Sequence, residues 1–385
     1  MIQLKHQSDC CGCEACAIAC PKKCITMQRD DKEGFAYPVI DSSLCIDCHR
    51  CEQVCPMINH NEKRAPLSTY AAINPDLSER IASSSGGIFS MLARNVIARG
   101  GIVFGVAFSE DFRSACHIAV ESEADLARLR GSKYFQASTA DSFAAVRSAL
   151  VGGREVLFTG TPCQIKALRL YLGAKLCASP LLLLVDIICH GVPSPATWAT
   201  YLDRCAGNDE VVDVQFRDKA PSGWHSFCLR AIASSADGLR TISATHREDL
   251  FMQSFLRNVN LRPSCYGCRS RGGSSGSDIT IGDFWSPPSQ LDDNRGLSAV
   301  MVYTERGKEA LGATNAALSG VEYARVAQGN PCLEHNVARP RSRKIFWKHY
   351  RSDFAKAVRL SKPKPSAYQK LKYQAWRLLH AIHLK

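Results

Sequence analysis

The chain has 385 residues, is 45% apolar and 22% charged, and carries 19 cysteines and a net charge of +12. Its length predicts two or three domains, and its composition is that of an ordinary globular protein. The opening MIQLKHQSDC lacks the apolar core of a secretory leader. No apolar run reaches the roughly 18–20 residues of a membrane span, since the best stretch, residues 181–189, is short and contains Asp186.

Residues 1–60 hold two copies of one cysteine ruler. The first is Cys10, Cys13, Cys16 and Cys20 before Pro21; the second is Cys45, Cys48, Cys51 and Cys55 before Pro56. Each reads C-x2-C-x2-C-x3-C-P, the run that ligates 4Fe–4S clusters in bacterial two-cluster ferredoxins. Three thiolates two residues apart wrap one face of a cubane, and the fourth serves the other cluster. The expected sets are therefore Cys10, Cys13, Cys16 and Cys55 for one cluster, and Cys45, Cys48, Cys51 and Cys20 for the second. Thiols needed in reduced form point to a reducing, cytoplasmic setting rather than to disulfides. Between the rulers, ITMQRDDKEGFAYPVI reads as a hairpin turning at residues 30–34. The expectation is an α+β ferredoxin-like two-cluster module, followed by a polar linker at residues 59–66.

The pattern then becomes α/β. Residues 83–87 form a small-residue loop, followed by helical spacing at Ile88, Leu92, Val96 and Ile97. Strands are expected at residues 101–108, 156–159, 181–188, 211–216, 227–233, 239–244 and 278–281, and a helix at 249–259. The strand at 156–159 enters the turn Gly160-Thr161-Pro162-Cys163, and that at 181–188 ends at Cys189-His190-Gly191. Alternation of this kind argues for an α/β domain, in two parts over 67–150 and 151–330, with sites at strand ends.

Four further cysteines sit in loops of that domain: Cys163, Cys189, and the C-x2-C pair Cys265 and Cys268. Four thiolates suit a third iron–sulfur cluster. Two other readings stand beside it: small buried hydrophobes and a zinc site. Cys11, Cys24, Cys116, Cys177, Cys205, Cys228 and Cys332 fit no ruler and read as structural.

The segments SSSGGIFS (83–90), GSKYFQ (131–136), GTPCQIKALR (160–169), CHGVPSPATW (189–198), FRDKAPSGW (216–224), RPSCYGC (262–268) and SDITIGDFW (277–285) occur in order. Together they resemble the beta-subunit family of coenzyme F420 (deazaflavin) hydrogenases and dehydrogenases, over roughly residues 1–330. Members with an N-terminal two-cluster ferredoxin occur in bacteria, often beside polysaccharide-synthesis genes. The resemblance implies FAD and a further 4Fe–4S cluster in the α/β domain, on Cys163, Cys189, Cys265 and Cys268. It makes Ser84, Ser85, Gly86 and Gly87, at a helix start, the phosphate-cradle candidates; the plain alternative is a turn. Lys133, otherwise a solvated lysine, becomes a candidate for the flavin ring or its phosphates. Thr161 and Gln164 are expected between cluster and flavin, and Asp283 near the redox centre. Lys133 and His190 are the candidates for catalysis, although His190 also reads as a structural histidine.

The implied function is an iron–sulfur flavoprotein oxidoreductase. It would pass electrons between a one-electron partner, ferredoxin or similar, and an unidentified two-electron substrate. The alternative is a non-catalytic electron-transfer subunit of a larger redox or polysaccharide-synthesis complex. Residues 339–385 hold 14 Lys or Arg against one acid, Asp353, so the net charge belongs to a tail. There Tyr368, Leu371, Ala375, Leu378, Leu379 and Ile382 share one face of an expected basic helix. Such a helix rests on an anionic membrane surface or binds an acidic partner, or packs on its own domain. No recognition module accompanies the charge, so nucleic acid is not an expected partner.

Overall fold

The two cysteine rulers fold alike. In each, the second residue after the opening cysteine and the residue after the second cysteine adopt left-handed backbone. These are Gly12 (φ +70°) and Glu14 (φ +62°) in the first, and Asp47 (φ +49°) and His49 (φ +59°) in the second. A short helix follows each time, Ala15–Ile18 and Arg50–Gln53. The turns fold the loop back on itself. Gly12 is required for a second reason, because a Cβ there would lie 2.2 Å from Gln136 Nε2. Between the rulers, β1 (Ile25–Arg29) and β2 (Ala36–Ile40) pair antiparallel. The turn is held by the Asp30 carboxylate, which accepts from the N–H groups of Lys32, Glu33 and Phe35. This is the expected hairpin.

The computed structural model describes residues 1–363. After the module come β3 (Ser68–Ile73), β4 (Ile102–Phe108), β5 (Ala115–Val120), β6 (Val156–Gly160) and β7 (Leu182–Ile187). They are followed by β8 (Glu210–Asp218), β9 (Cys228–Ser235), β10 (Gly238–Thr245), β11 (Ile279–Asp283), β12 (Ser298–Val302) and β13 (Ala317–Gly320). Eight of these make one mixed sheet in the order β13-β3-β12-β11-β7-β6-β4-β5. Its centre, β11-β7-β6-β4, is parallel, and the flanking strands are antiparallel. Parallel strands need cover on both faces, and the apolar runs supply it. Ile102, Phe104, Val156, Phe158, Leu182 and Leu184 face helices Ser142–Val151 and Pro162–Cys177. Their alternates Val103, Leu157, Leu183 and Val185 face helices Ile88–Ala98 and Glu305–Gly312. The strands β6, β7 and β11 therefore end on one edge, where Thr161, Cys189 and Asp283 lie.

A separate antiparallel sheet, β10-β9-β8, packs on helices Pro195–Ala206 and Leu250–Leu256. The described part of the basic segment joins this core: helices Arg343–His349 and Phe354–Leu360 bury Phe346, Trp347, Tyr350, Phe354, Ala357 and Val358. The apolar face expected from Tyr368 to Ile382 lies outside the described residues.

Three polar ties dock the cysteine module on this body. Glu14 Oε2 accepts from Ser138 Oγ, Thr139 N, Thr139 Oγ1 and Ala140 N. The Arg262 guanidinium donates to Cys10 O, Gln136 Oε1 and Ala36 O. Glu33, in the hairpin turn, makes a bidentate pair with Arg343, whose guanidinium also reaches Leu261 O. Both partners are buried, so removing one strands the other's charge, which costs about 3–5 kcal/mol. R343M is therefore expected to lower stability by about that amount, and E33Q/R343M by clearly less. Denaturation followed by tryptophan emission reads the difference; equal losses would contradict it.

Candidate functional site

The structure brings all eight ruler cysteines into one region, with Cys51 also near Cys16 and Cys55. Cys10, Cys13, Cys16 and Cys55 lie close enough that a charge on one opposes a charge on its neighbours. Burial first, then Cys10 and Cys55, pushes the Cys16 thiol up to about 12. Thiols raised in this way become thiolates when a cation joins them, so metal binding at Cys13, Cys16 and Cys55 would release protons. Cys20, Cys45, Cys48 and Cys51 line a second space, together with Cys24, whose Sγ is 3.4 Å from Cys20 Sγ. This second space is at the surface: Cys48 is exposed, and the neighbouring Leu44 and Ile46 are 54% and 58% exposed.

A third set closes around an apolar cavity lined by Cys163, Cys189, Cys265 and Cys268, with Cys11 and Cys332 beside them. Cys163 stands at the second position of helix Pro162–Cys177, where Thr161 N–H donates to Gln164 Oε1 to cap the first turn. Thr161 Oγ1 is 3.2 Å from Cys163 Sγ. Cys189 follows β7, and Val192 N–H donates to Cys265 Sγ at 3.4 Å. Burial pushes Cys265 up to about 12, with Cys268 and Cys163 adding to the effect. The ruler spacing alone has Cys11 pointing away from the clusters. Instead it shares the lining of the third set's cavity with Cys163 and lies near Cys13, and so joins the first set to the third. Among the described residues, no three His, Cys, Asp or Glu side chains converge tightly enough to hold a single ion; the cysteines ring wider spaces.

Two cations stand at this junction. Arg262 Nη2 donates to Cys10 Sγ at 3.3 Å. Lys166 is 1% exposed, and its Nζ has no hydrogen-bond partner among the described residues.

Beyond the third set lies a cavity of about 870 Å³, in the range of small-molecule and cofactor sites. It brings together Ser84, Ser85, Gly87, Lys133, Thr161, Gln164, His190 and Asp283. Gly86 is the exception and is not a lining residue. It is buried behind the wall, its N–H donates to Ser298 Oγ, and a Cβ would lie 2.3 Å from Ala72 O. Its role is close packing of the loop on β3 and β12. The serine hydroxyls are committed as well: Ser84 Oγ accepts from Ser132 N, and Ser85 Oγ donates to Leu297 O. What this loop offers the cavity is the backbone at the start of helix Ile88–Ala98.

Asp283 does not face the cavity alone. Its carboxylate accepts both Arg217 Nη atoms at 3.0 Å and Trp224 Nε1 at 2.9 Å. Arg217, which sequence reasoning missed, is therefore the fixed cation of the cavity. It lies 3.8 Å over the Phe227 ring, and its Nε is buried with no partner among the described residues. Lys133 Nζ donates to the carbonyls of Arg128, Leu129 and Arg130, and burial pushes its ammonium down to about 7. His190 Nε2 is 2.5 Å from Asn258 Oδ1, and burial favours its neutral ring.

Residues 153–322 match the family model for the C-terminal region of the coenzyme F420 hydrogenase/dehydrogenase beta chain, and residues 9–58 match a 4Fe–4S dicluster domain. The coenzyme F420-dependent sulfite reductase of Methanocaldococcus jannaschii is 24% identical over 165 residues, 42% of this chain and 24% of that protein. The chain thus spans about a quarter of that relative's length. Ketoisovalerate oxidoreductase subunit VorC of Methanothermobacter marburgensis is 38% identical over 55 residues, 14% of this chain and 70% of VorC. A chain of the F420-reducing [NiFe] hydrogenase complex from Methanosarcina barkeri aligns over 72% of this chain and 97% of its own, at 15% identity and a TM-score of 0.46. The chain thus contains the C-terminal region of the coenzyme F420 hydrogenase/dehydrogenase beta-subunit family, with a 4Fe–4S dicluster domain ahead of it.

Proposed function

We propose that the chain is an iron–sulfur flavoprotein oxidoreductase. It exchanges electrons with a one-electron carrier such as ferredoxin at its N-terminal module and with a two-electron substrate in the large cavity. The observation that carries this reading is a shared wall. Ile187, Ile188, Cys189, Gly191 and Val192 line both the cysteine-ringed cavity and the large one. A cluster held there and a cofactor held in the cavity would be neighbours.

The residues fit the groups the reading requires. The two ruler sets would hold the clusters of the dicluster domain, and Cys163, Cys189, Cys265 and Cys268 a third. The large cavity suits FAD, since it combines a helix start, a buried guanidinium whose Nε has no partner among the described residues, and aromatic and apolar walls at Tyr134, Phe227, Phe255 and Trp285. A flavin, when bound, converts single-electron exchange into paired-electron chemistry. Arg217, held rigid by Asp283, would place fixed positive charge against the cofactor's anionic groups. His190 would present a neutral ring beside Cys189, anchored through Asn258. The exposed Cys48, with Leu44 and Ile46, would form the electron port. This apolar rim also favours a second reading, in which the chain is a relay subunit docked on a larger redox complex.

The sulfite reductase relative acts with coenzyme F420 by its name; a deazaflavin is one candidate for the two-electron partner here. Oxidation of reduced deazaflavin by the isolated chain with an artificial acceptor would support a catalytic chain. Failure with deazaflavin and with nicotinamide donors would favour the relay reading.

Anaerobic purification is expected to give about twelve irons and one FAD per chain, by the four-cysteine ligation rule. C163S should fall to about eight irons, whereas C11S should keep the full count; a full count in C163S would contradict the third ligand set. R217M is expected to weaken FAD binding about 10–100-fold, the value of a charge-assisted contact. Flavin release on dilution measures this, and unchanged retention would remove Arg217 from the site.

A further inference from the structure

We propose that Lys166 is the shared counter-charge of the first and third clusters, and that its ammonium sets the reduction potentials of both. The inference rests on the reading that Cys163, Cys189, Cys265 and Cys268 hold a cluster.

Lys166 follows Cys163 by three residues on helix Pro162–Cys177, so both side chains leave the same face. That helix packs on Ala15–Ile18, the short helix of the first ruler. An ammonium carries three donors, and burying it without an acceptor is strongly unfavourable. Buried Lys219 and half-buried Lys133 obey this rule: each holds three backbone carbonyls. Lys166 Nζ, 1% exposed as a residue, holds none among the described residues.

Cysteines of both sets lie near enough to act on its charge. Burial pushes Lys166 towards its neutral form, and Arg269 acts the same way. Cys268, Cys11 and Cys55 act in the opposite sense. These three mark the third set, the bridge and the first set in turn. An unpartnered ammonium among them is what two anionic clusters, with their sulfide acceptors, would satisfy.

The consequence is electrostatic. A reduced cluster carries one more negative charge than its oxidised form. A buried cation therefore stabilises the reduced state more, and raises the potential. One ammonium between two clusters lifts both together and leaves the step between them unchanged. Arg262 acts differently: its guanidinium is committed to Cys10, Gln136 and Ala36, so it also holds the domains together. Lys166 has no such structural duty, which makes it the cleaner probe.

The test is a redox titration of the intact, cluster-loaded protein, followed by electron paramagnetic resonance. The unsubstituted chain, K166M, K166Q and K166R are compared, with C163S identifying the third cluster's signal. K166M and K166Q are expected to keep their iron while the midpoints of the first and third clusters fall and the second stays in place. K166R is expected to restore both. Unchanged first and third midpoints at full iron content in either neutral variant would overturn the proposal. So would loss of third-site iron in both neutral variants with the first midpoint unmoved, since that marks a purely structural lysine. If the unsubstituted chain titrates only two clusters, the third ligand set itself is wrong and a shared counter-charge falls with it.

Discussion

The contact on which the rest of the structure depends is the buried guanidinium of Arg262. It reaches Cys10 O and Cys10 Sγ in the first ruler, Ala36 O in the hairpin and Gln136 Oε1 in the body of the protein. A side chain that is 0% exposed and bonded to three separate segments leaves little freedom in how they meet. The ruler loop is pressed so closely that Gly12 admits no Cβ beside Gln136 and Arg262. Because of this seating, Cys11 meets Cys163, and two cysteine sets that are distant in sequence become adjacent in space.

From that junction the order of sites follows from the sheet. β6, β7 and β11 run parallel and end on one edge. Their exits deliver Cys163, Cys189 and Asp283 to a common surface between the ruler module and the large cavity. The surface-exposed set around Cys48 is at one end. The cavity built on Arg217 and Asp283 is at the other, with two further cysteine sets between. The exposed cysteine set and the large cavity thus lie at opposite ends of a run of cysteine-lined spaces.

Much of this is legible in the sequence, and the reason is locality. A ruler of cysteines two and three residues apart carries its own geometry, and an apolar run ending in a small-residue turn marks a strand end. The hairpin, the central parallel strands and the residues gathered in the cavity can be read on those terms. What escapes reading depends on long-range pairing. Arg217 meets Asp283 across 66 positions, and nothing near either residue announces it. β3, β12 and β13 escape because their pairing is with each other across the chain, and β13 is a short, largely exposed edge. Gly86 looks like a phosphate cradle because its local sequence is that of one; its contacts with Ala72 and Ser298 assign it to packing. Cys11 looks idle beside its ruler for the same reason, since its partner Cys163 is supplied by the other domain.

The central claim is that the buried sulfur sites connect the exposed N-terminal module to the large cavity within a single chain. It is tested most directly by rapid anaerobic mixing of the purified, flavin-loaded protein with reduced ferredoxin, following cluster and flavin absorbance together. The account predicts that the clusters reduce first and that the flavin absorbance then bleaches, without any added mediator. Full cluster reduction with a flavin that never bleaches would contradict it.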